Sequence, residues 1–301
     1  MSMGSESLII SSEIPIAHGW LTSPTAHAQI CVENQIMLKL SLYTFVKDGL
    51  YYDFHVVDML KHHLPLADEI IVNEGFSKDG TYEAIKDIDP KIKIHRFEWD
   101  RSDASKWHLR FKNQARELCT GDWCILLDCD EFIPEWEFED IRRYISTSTE
   151  DLIPFHYLNF YGNYKVKVRS SRAVMERKMI LHRNRPDIEV WGDGANVRIR
   201  GETLGDFSGS LAPFTCHHFG GVRHPGRLRD KWNIQSQTSR GIWRRFQYPA
   251  LLFNLFPHKW KDTDYLDKLE IYEGPYVKAV RDNPKEFVRD GFQLYRYLKS
   301  R

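Results

Sequence analysis

Apolar positions fall in unbroken runs that alternate with stretches of helical spacing. Ile36-Met37-Leu38-Lys39-Leu40-Ser41-Leu42-Tyr43 reads as a first core strand. From Tyr52 to His63 the spacing of Phe54, Val57, Leu60 and Leu64 predicts a helix, which Pro65 ends. Asp68 to Glu74 is a second strand broken by Gly75, and Asp79-Gly80-Thr81 is a turn that caps a helix running through Ile88. Lys91 to Phe97 alternates as a third strand. Residues 105–119 read as a helix closed by Gly121, and Trp123 to Leu127 as a fourth strand. Strands alternating with helices across short turns imply right-handed crossovers and a largely parallel sheet.

The pattern changes further on. Between residues 150 and 219, short aromatic strands (Leu152 to Phe160, Arg177 to Leu181, Gly194 to Ile199, Phe214 to Phe219) are separated by Gly, Pro and Asn. They predict a mixed, partly antiparallel region built onto the sheet. After Pro225 the chain reads as helical, with aromatic and basic residues through Trp260, whereas residues 1–34 carry no period and read as a tail or arm. The expected class is α/β: a mixed, mainly parallel central sheet flanked by helices. The expected division is a tail over 1–34, a main domain over 35–224 with halves 35–135 and 136–224, and a helical C-terminal extension over 225–301.

Composition narrows the possibilities. With 301 residues and 42% hydrophobic content, the chain can bury one large core. Lys+Arg and Asp+Glu balance at 42 each, so no global charge points to nucleic acid, and any anion site must be local. Cys31, Cys119, Cys124, Cys129 and Cys216 lack framework spacing and read as reduced core thiols of a cytosolic chain. Met1 to Ser12 lacks a basic segment followed by a long apolar run, so no secretory signal is expected there. The best apolar run, Tyr248 to Pro257, is too short to span a bilayer.

The chemistry concentrates where the fourth strand stops, in Trp123-Cys124-Ile125-Leu126-Leu127-Asp128-Cys129-Asp130-Glu131-Phe132. Carboxylates at the end of an apolar strand, without a local countercharge in the sequence, are costly unless a cation or donors compensate. A hard divalent ion prefers such oxygens together with substrate phosphates, and ligands of open α/β sheets bind at the carboxyl ends of strands.

Two longer strings make the pattern more specific. Asp68-Glu69-Ile70-Ile71-Val72-Asn73-Glu74-Gly75-Phe76-Ser77-Lys78-Asp79-Gly80-Thr81 resembles the D-E-I-I-V-x-D-x-S-x-D-G-T stretch of family 2-like glycosyltransferases of the GT-A fold. Asn113-Gln114-Ala115-Arg116, Gly121-Asp122-Trp123 and Asp128-Cys129-Asp130-Glu131-Phe132 are similar to that family's N-x-A, G-D-W and D-x-D-E-F segments, in the same order. The resemblance spans roughly residues 36–135 and implies a GT-A (Rossmann-like) enzyme using a UDP- or GDP-sugar with Mn²⁺ or Mg²⁺.

It also implies roles. Tyr43, Thr44 and Glu74, at the ends of the first two strands, would form the nucleotide crevice, with Asp100 a candidate for the base or ribose and Lys106 or Arg110 for the diphosphate. Asp130 would hold the metal, and Asp128 would face the ribose or the metal. Glu131 stands as either a supporting acid or a helix-start residue. His218-Phe219-Gly220-Gly221-Val222-Arg223, followed by Lys231, resembles the H-Y-G-W-V-R … K segment of some bacterial members. That match marks His218 as a further metal ligand and Arg223 or Lys231 as a diphosphate clamp. Alternation along a strand would let only one of His217 and His218 reach the site. Inverting transfer needs a general base, for which Asp193 in Gly192-Asp193-Gly194 is the first candidate, ahead of Glu189, Glu202 and Glu131.

A glycan or lipid-linked acceptor would arrive beside Phe155, Tyr157, Phe160, Tyr161 and Tyr164. The segment Ile242 to Lys261 suggests peripheral contact at the inner face of a membrane, although Pro249 and Pro257 interrupt it. The alternative function is a non-catalytic nucleotide- or glycan-binding module. No Gly-rich phosphate loop follows the first strand, which excludes a sugar-phosphate nucleotidyltransferase.

Overall fold

The computed structural model describes residues 38–99, 107–169, 177–192, 194–202, 213–224, 226–228, 230–231 and 269–282. The predicted tail over 1–34 and most of the C-terminal extension lie outside these residues, as do Asp100, Lys106, Asp193 and the 242–261 segment. Among the described residues, no helix is long and apolar enough to cross a membrane.

Four parallel strands build the centre: β1 (Leu40–Val46), β2 (Glu69–Glu74), β3 (Ile92–Arg96) and β4 (Trp123–Leu126). Helices α1 (Val56–His63), α2 (Thr81–Ile85) and α3 (Trp107–Glu117) make the crossovers. β1 pairs in parallel with both β2 and β4, so consecutive strands depart in opposite directions from β1. This is the switch point at which open α/β sheets bind ligands, outside the carboxyl ends of the strands. Leu40, Leu42 and Tyr43 of β1 and all four residues of β4 are buried, as strands covered on both faces require. Each such Leu or Ile contributes about 1.5–3 kcal/mol by leaving water.

Beyond the acidic turn come the short β5 (Glu131–Phe132), a 3-10 turn (Glu135–Glu137) and α4 (Phe138–Thr147). β6 (Leu152–Tyr161), β7 (Val166–Val168), β8 (Arg177–Arg183) and β11 (Phe214–Gly221) extend the sheet, while β9 (Ile188–Trp191) and β10 (Asn196–Ile199) form a separate hairpin. β12 (Leu269–Ile271) pairs with β7, and α5 (Lys278–Asp282) follows it. The principal order is β12-β7-β6-β8-β4-β1-β2-β3, with β11 joined to β5 and β6. β8 runs antiparallel to β4, and β11 lies parallel to β6, as a mixed second half demands. The periodicity did not announce α4 or the two-residue β5. α4 opens with four consecutive residues of which three are charged or aromatic, Phe138-Glu139-Asp140-Ile141, and buries only Phe138, Ile141 and Ile145.

Several polar motif residues hold this frame. Gly121 lies so close to β1 that a Cβ would stand 2.7 Å from Ser41 Oγ, and its N–H donates to that oxygen. Ser41 in turn donates to Glu69 (2.6 Å), and Asp122 accepts the Lys39 N–H (2.8 Å). Asn113 donates to the Val190 carbonyl and accepts the Val190 N–H, pinning α3 to β9. Cys119, Cys124, Cys129 and Cys216 are buried free thiols.

Candidate active site

The chain turns sharply after β4. Glu131 N–H donates to the Asp128 carbonyl (3.0 Å), and the Glu131 carboxylate accepts the Asp128 N–H (3.0 Å), closing the turn on itself. The Phe219 N–H of β11 donates to the Asp130 carbonyl (2.8 Å). Backbone geometry therefore fixes three acids at the carboxyl edge of the switch point.

The compensation that these acids require does not come from local countercharges; the cations come from distant segments. Lys112 of α3 stands 2.5 Å from Asp128 Oδ1, and Lys178 of β8 stands 3.6 Å from Asp128 Oδ2. Lys178 also pairs with Glu131, which accepts the Tyr157 hydroxyl (2.5 Å). Arg223 (2.5 Å) and Lys231 (2.9 Å) both donate to Asp130 Oδ2. Burial opposes ionisation of Asp128, but Lys112 and Lys178 outweigh it and hold the carboxyl down at about 2. Burial likewise opposes Asp130, and Lys231 and Arg223 hold it well below the usual carboxylate range. Glu131, fully buried, is pushed up by desolvation despite Lys178. The Lys178 ammonium resists deprotonation, because Glu131 and Asp128 outweigh its burial.

β11 carries the fourth group. Its register sets His218 opposite Glu131 on one side and Asn159 of β6 on the other. His217 packs among Trp136, Phe160, Phe219 and Tyr272, whereas His218 stacks on Tyr157, so the two rings do face opposite ways. His218 Nδ1–H donates to Asn159 Oδ1 (2.8 Å), which leaves Nε2 as a lone pair 3.6 Å from Asp130 Oδ1. Burial drops this imidazole to about 4, so it is neutral at neutral pH. Gly220 makes room for the ring: a Cβ there would stand 2.2 Å from Nε2.

A lone pair facing a carboxylate oxygen is repulsive unless a cation joins them, and an imidazole oriented through its other nitrogen is how metal-binding histidines are held. Asp130, Glu131 and His218 each offer a ligand atom, all within 4.8 Å of one another. The donor set of oxygens and one nitrogen fits Mn²⁺ or Mg²⁺.

Other expected residues stand elsewhere. Tyr43 does not line a crevice; its side chain is fully buried and its hydroxyl bonds His182 Nε2 (3.1 Å). Thr44 is equally buried, 3.6 Å from Cys129 Sγ. Glu74 is buried and bound into its own turn: its oxygens accept the N–H groups of Phe76 (3.1 Å) and Ser77 (2.6 Å) and the Arg96 guanidinium (2.7 Å). Asp79 accepts the Thr81 N–H and hydroxyl at the start of α2, as turn chemistry suggests. Arg110 is exposed on α3, and the helix residue that meets the acids is Lys112, two positions later. Glu189 pairs with Arg198 and Arg200 across the β9–β10 hairpin, which occupies both its oxygens. Glu131, enclosed by Lys178, Tyr157 and the turn, is in no position to take a proton from an acceptor.

The sequence reading missed Lys112, Lys178 and Asn159. Lys178 had a signal: a lysine next to Met179-Ile180-Leu181 inside an apolar strand must be paired if buried. Asn159 had a weaker one, a polar residue two positions after Tyr157 and therefore on the same strand face.

No curated protein matches the chain. Among solved structures, Staphylococcus aureus (S. aureus) TarS 1-349 in complex with UDP is 13% identical, covering 77% of this chain and 79% of that one, with a TM-score of 0.42. Glucosyl-3-phosphoglycerate synthase from Mycobacterium tuberculosis, solved with Mn²⁺, UDP and glucosyl-3-phosphoglycerate, is 16% identical over 40% of this chain and 44% of that one (TM-score 0.29). The mannosyltransferase PcManGT from Pyrobaculum calidifontis, in complex with GDP-Man and Mn²⁺, is 14% identical over 41% and 36% (TM-score 0.30). The family model described as Glycosyl transferase family 2 matches residues 55–224, which run from the start of α1 past β11 and include every acid and cation of the turn except Lys231. That match spans more than half of the 301 residues, and the chain belongs to glycosyl transferase family 2: it is a glycosyltransferase.

Proposed function

We propose that the enzyme transfers a sugar from a UDP- or GDP-sugar to a glycan or lipid-linked acceptor, with inversion, using a divalent ion held by Asp130 and His218. The observation that carries this reading is the His218 ring, held through Nδ1 by Asn159 Oδ1 (2.8 Å) with Nε2 3.6 Å from Asp130 Oδ1. When bound, Mn²⁺ or Mg²⁺ supplies Lewis-acid stabilisation of the leaving diphosphate. The chain supplies the rest of the charge. Arg223 is anchored by the Tyr52 carbonyl (2.9 Å) and lies over the Phe54 ring, with Lys231 over the same ring, which supports their reading as a clamp on phosphate oxygens. Asp128, kept ionised by Lys112 and Lys178, accepts a hydroxyl of the donor or supports the ion.

We assign the general base to Asp193, which lies outside the described residues. Support comes from its neighbour: the Gly194 carbonyl accepts from Lys112 Nζ (2.7 Å), the ammonium that contacts Asp128. Gly192 and Gly194 have φ of 71° and 83°, and a Cβ on Gly194 would stand 2.7 Å from His108. The hairpin is thereby held against α3 beside the acids. The test is sugar release from UDP- and GDP-sugars with Mn²⁺, with Mg²⁺ and after EDTA treatment. Metal-stimulated turnover that vanishes in Asp130→Asn supports the reading; equal turnover in EDTA overturns the metal role. A non-catalytic module would bind nucleotide and show no turnover with any donor.

A further inference from the structure

The carboxyl end of β1 carries an aromatic stack to which the proposed function assigns no role. Trp99, three residues beyond β3, lies between two phenylalanines. Its ring centroid is 5.4 Å from Phe45 of β1 at an interplanar angle of 27°, and 5.0 Å from Phe111 of α3 at 17°. Two near-parallel walls and a flat bicyclic ring between them are the geometry that sandwiches a nucleobase. Gly75, the residue after β2, permits it: a Cβ there would stand 2.5 Å from the indole nitrogen. Gly75 does not have a positive φ, so close approach of the indole is what excludes a side chain.

The stack is joined to the acidic turn through one side chain. Lys112 Nζ lies 5.1 Å from the Phe45 centroid and 2.5 Å from Asp128 Oδ1, so the slot and the acids share a wall. Lys47 Nζ lies 5.8 Å from the Trp99 centroid, giving a second ammonium beside the slot. Asn73, at the end of β2, donates to the Phe111 carbonyl (3.0 Å), while its buried Oδ1 accepts no hydrogen bond from the described residues. An acceptor without a donor therefore stands next to the Phe111 wall, where a base N–H would complete it.

Resting on the nucleotide-sugar reading, we infer that Trp99 is an internal occupant of the nucleobase slot, and that donor binding requires the indole to leave the space between Phe45 and Phe111. Phe111 is 1% exposed with the indole in place, so departure without a replacement would expose an apolar wall. The slot is then closed until a base fills it, and apparent donor affinity is reduced by the fraction of molecules in which Trp99 occupies it.

The test uses the full chain, with its nine tryptophans labelled as 5-fluorotryptophan and followed by ¹⁹F NMR. The Trp99 signal is assigned by its loss in Trp99→Phe. UDP and GDP are titrated separately with MgCl₂, and their affinities for wild type, Trp99→Ala and Gly75→Ala are measured by calorimetry. The expected result is a Trp99 signal that moves on saturation with the preferred nucleotide, and binding about tenfold tighter in Trp99→Ala. Gly75→Ala, which expels the indole by collision, should change affinity in the same direction. Nucleotide binding that leaves the Trp99 signal in place, or that is equal or weaker in Trp99→Ala, overturns the inference while sparing the donor reading. If neither nucleotide binds wild type or variants, the donor reading fails and the inference with it. The wild-type ¹⁹F titration decides the matter even where a variant does not fold.

Discussion

Buried carboxylates occur at two places in this sheet, and they are satisfied in different ways. On β2, Glu69 and Glu74 are held largely by neutral donors: Ser41 and Thr120 for Glu69, and the N–H groups of Phe76 and Ser77 for Glu74, each with one exposed or half-exposed cation. At the turn after β4, Asp128, Asp130 and Glu131 meet four buried or nearly buried cations drawn from α3, β8 and the chain after β11. A carboxylate held by backbone N–H groups has become part of its turn. One held by ammonium and guanidinium groups can exchange a cation for a metal ion, and the released cation can pair with a phosphate, so charge stays balanced. The contrast separates frame from chemistry within one set of acidic residues.

The largest effect should come from the acid that faces both His218 and the Arg223–Lys231 pair. Asp130→Asn should lower kcat/KM for sugar transfer about 10³-fold. In the matching change on β2, Glu74→Gln should leave nucleotide affinity unchanged within about twofold while lowering stability, since only a turn is disturbed. Steady-state kinetics and calorimetry check the pair; equal loss of binding in both variants would erase the distinction.

Removing Lys178 strands Glu131 and weakens the hold on Asp128. Lys178→Met should cost about 3–5 kcal/mol in urea unfolding, and the double variant Lys178→Met/Glu131→Gln should recover part of it. Additive losses would mean the two are not coupled.

A third effect comes from His182, which is buried against Tyr43 and lowered by desolvation to about 4. Its folded value lies below the unfolded value near 6.5, so the unfolded chain binds more protons between the two. Stability is unaffected above that window and falls as pH drops from about 6.5 towards 4, by about 3 kcal/mol from this residue. His182→Gln should flatten that part of the curve in denaturant titrations.

The smallest effect concerns orientation. Asn159→Leu removes the acceptor that fixes the His218 tautomer, and should raise the Mn²⁺ concentration needed for half-maximal activity about 10–100-fold with the melting temperature little changed. An unaltered metal requirement would assign Asn159 to packing alone.

Much of the frame was legible because parallel strands buried on both faces read as apolar runs, as β2 and β4 do, while β3 showed as alternation and α3 as a helix closed by Gly121. The acids of the turn were legible for the same reason, as charges interrupting a core strand. Their partners were not. Lys112 and Lys178 lie 16 residues before and 50 residues after Asp128, and the packing of α3 on β1 and β2 and the pairing of β8 with β4 bring them together. Glu74 misled because sequence gives the residue type and position but not the side-chain direction. Tyr43 misled differently: a strand end supplies backbone to a crevice while its side chain faces the core.

Pulsed electron paramagnetic resonance of Mn²⁺ bound in the presence of the preferred nucleotide diphosphate tests the metal assignment most directly. An imidazole nitrogen coupled to the ion in wild type, and lost in His218→Ala, is the expected result. Mn²⁺ bound with nucleotide but without nitrogen coupling, or with coupling unchanged in His218→Ala, would contradict it.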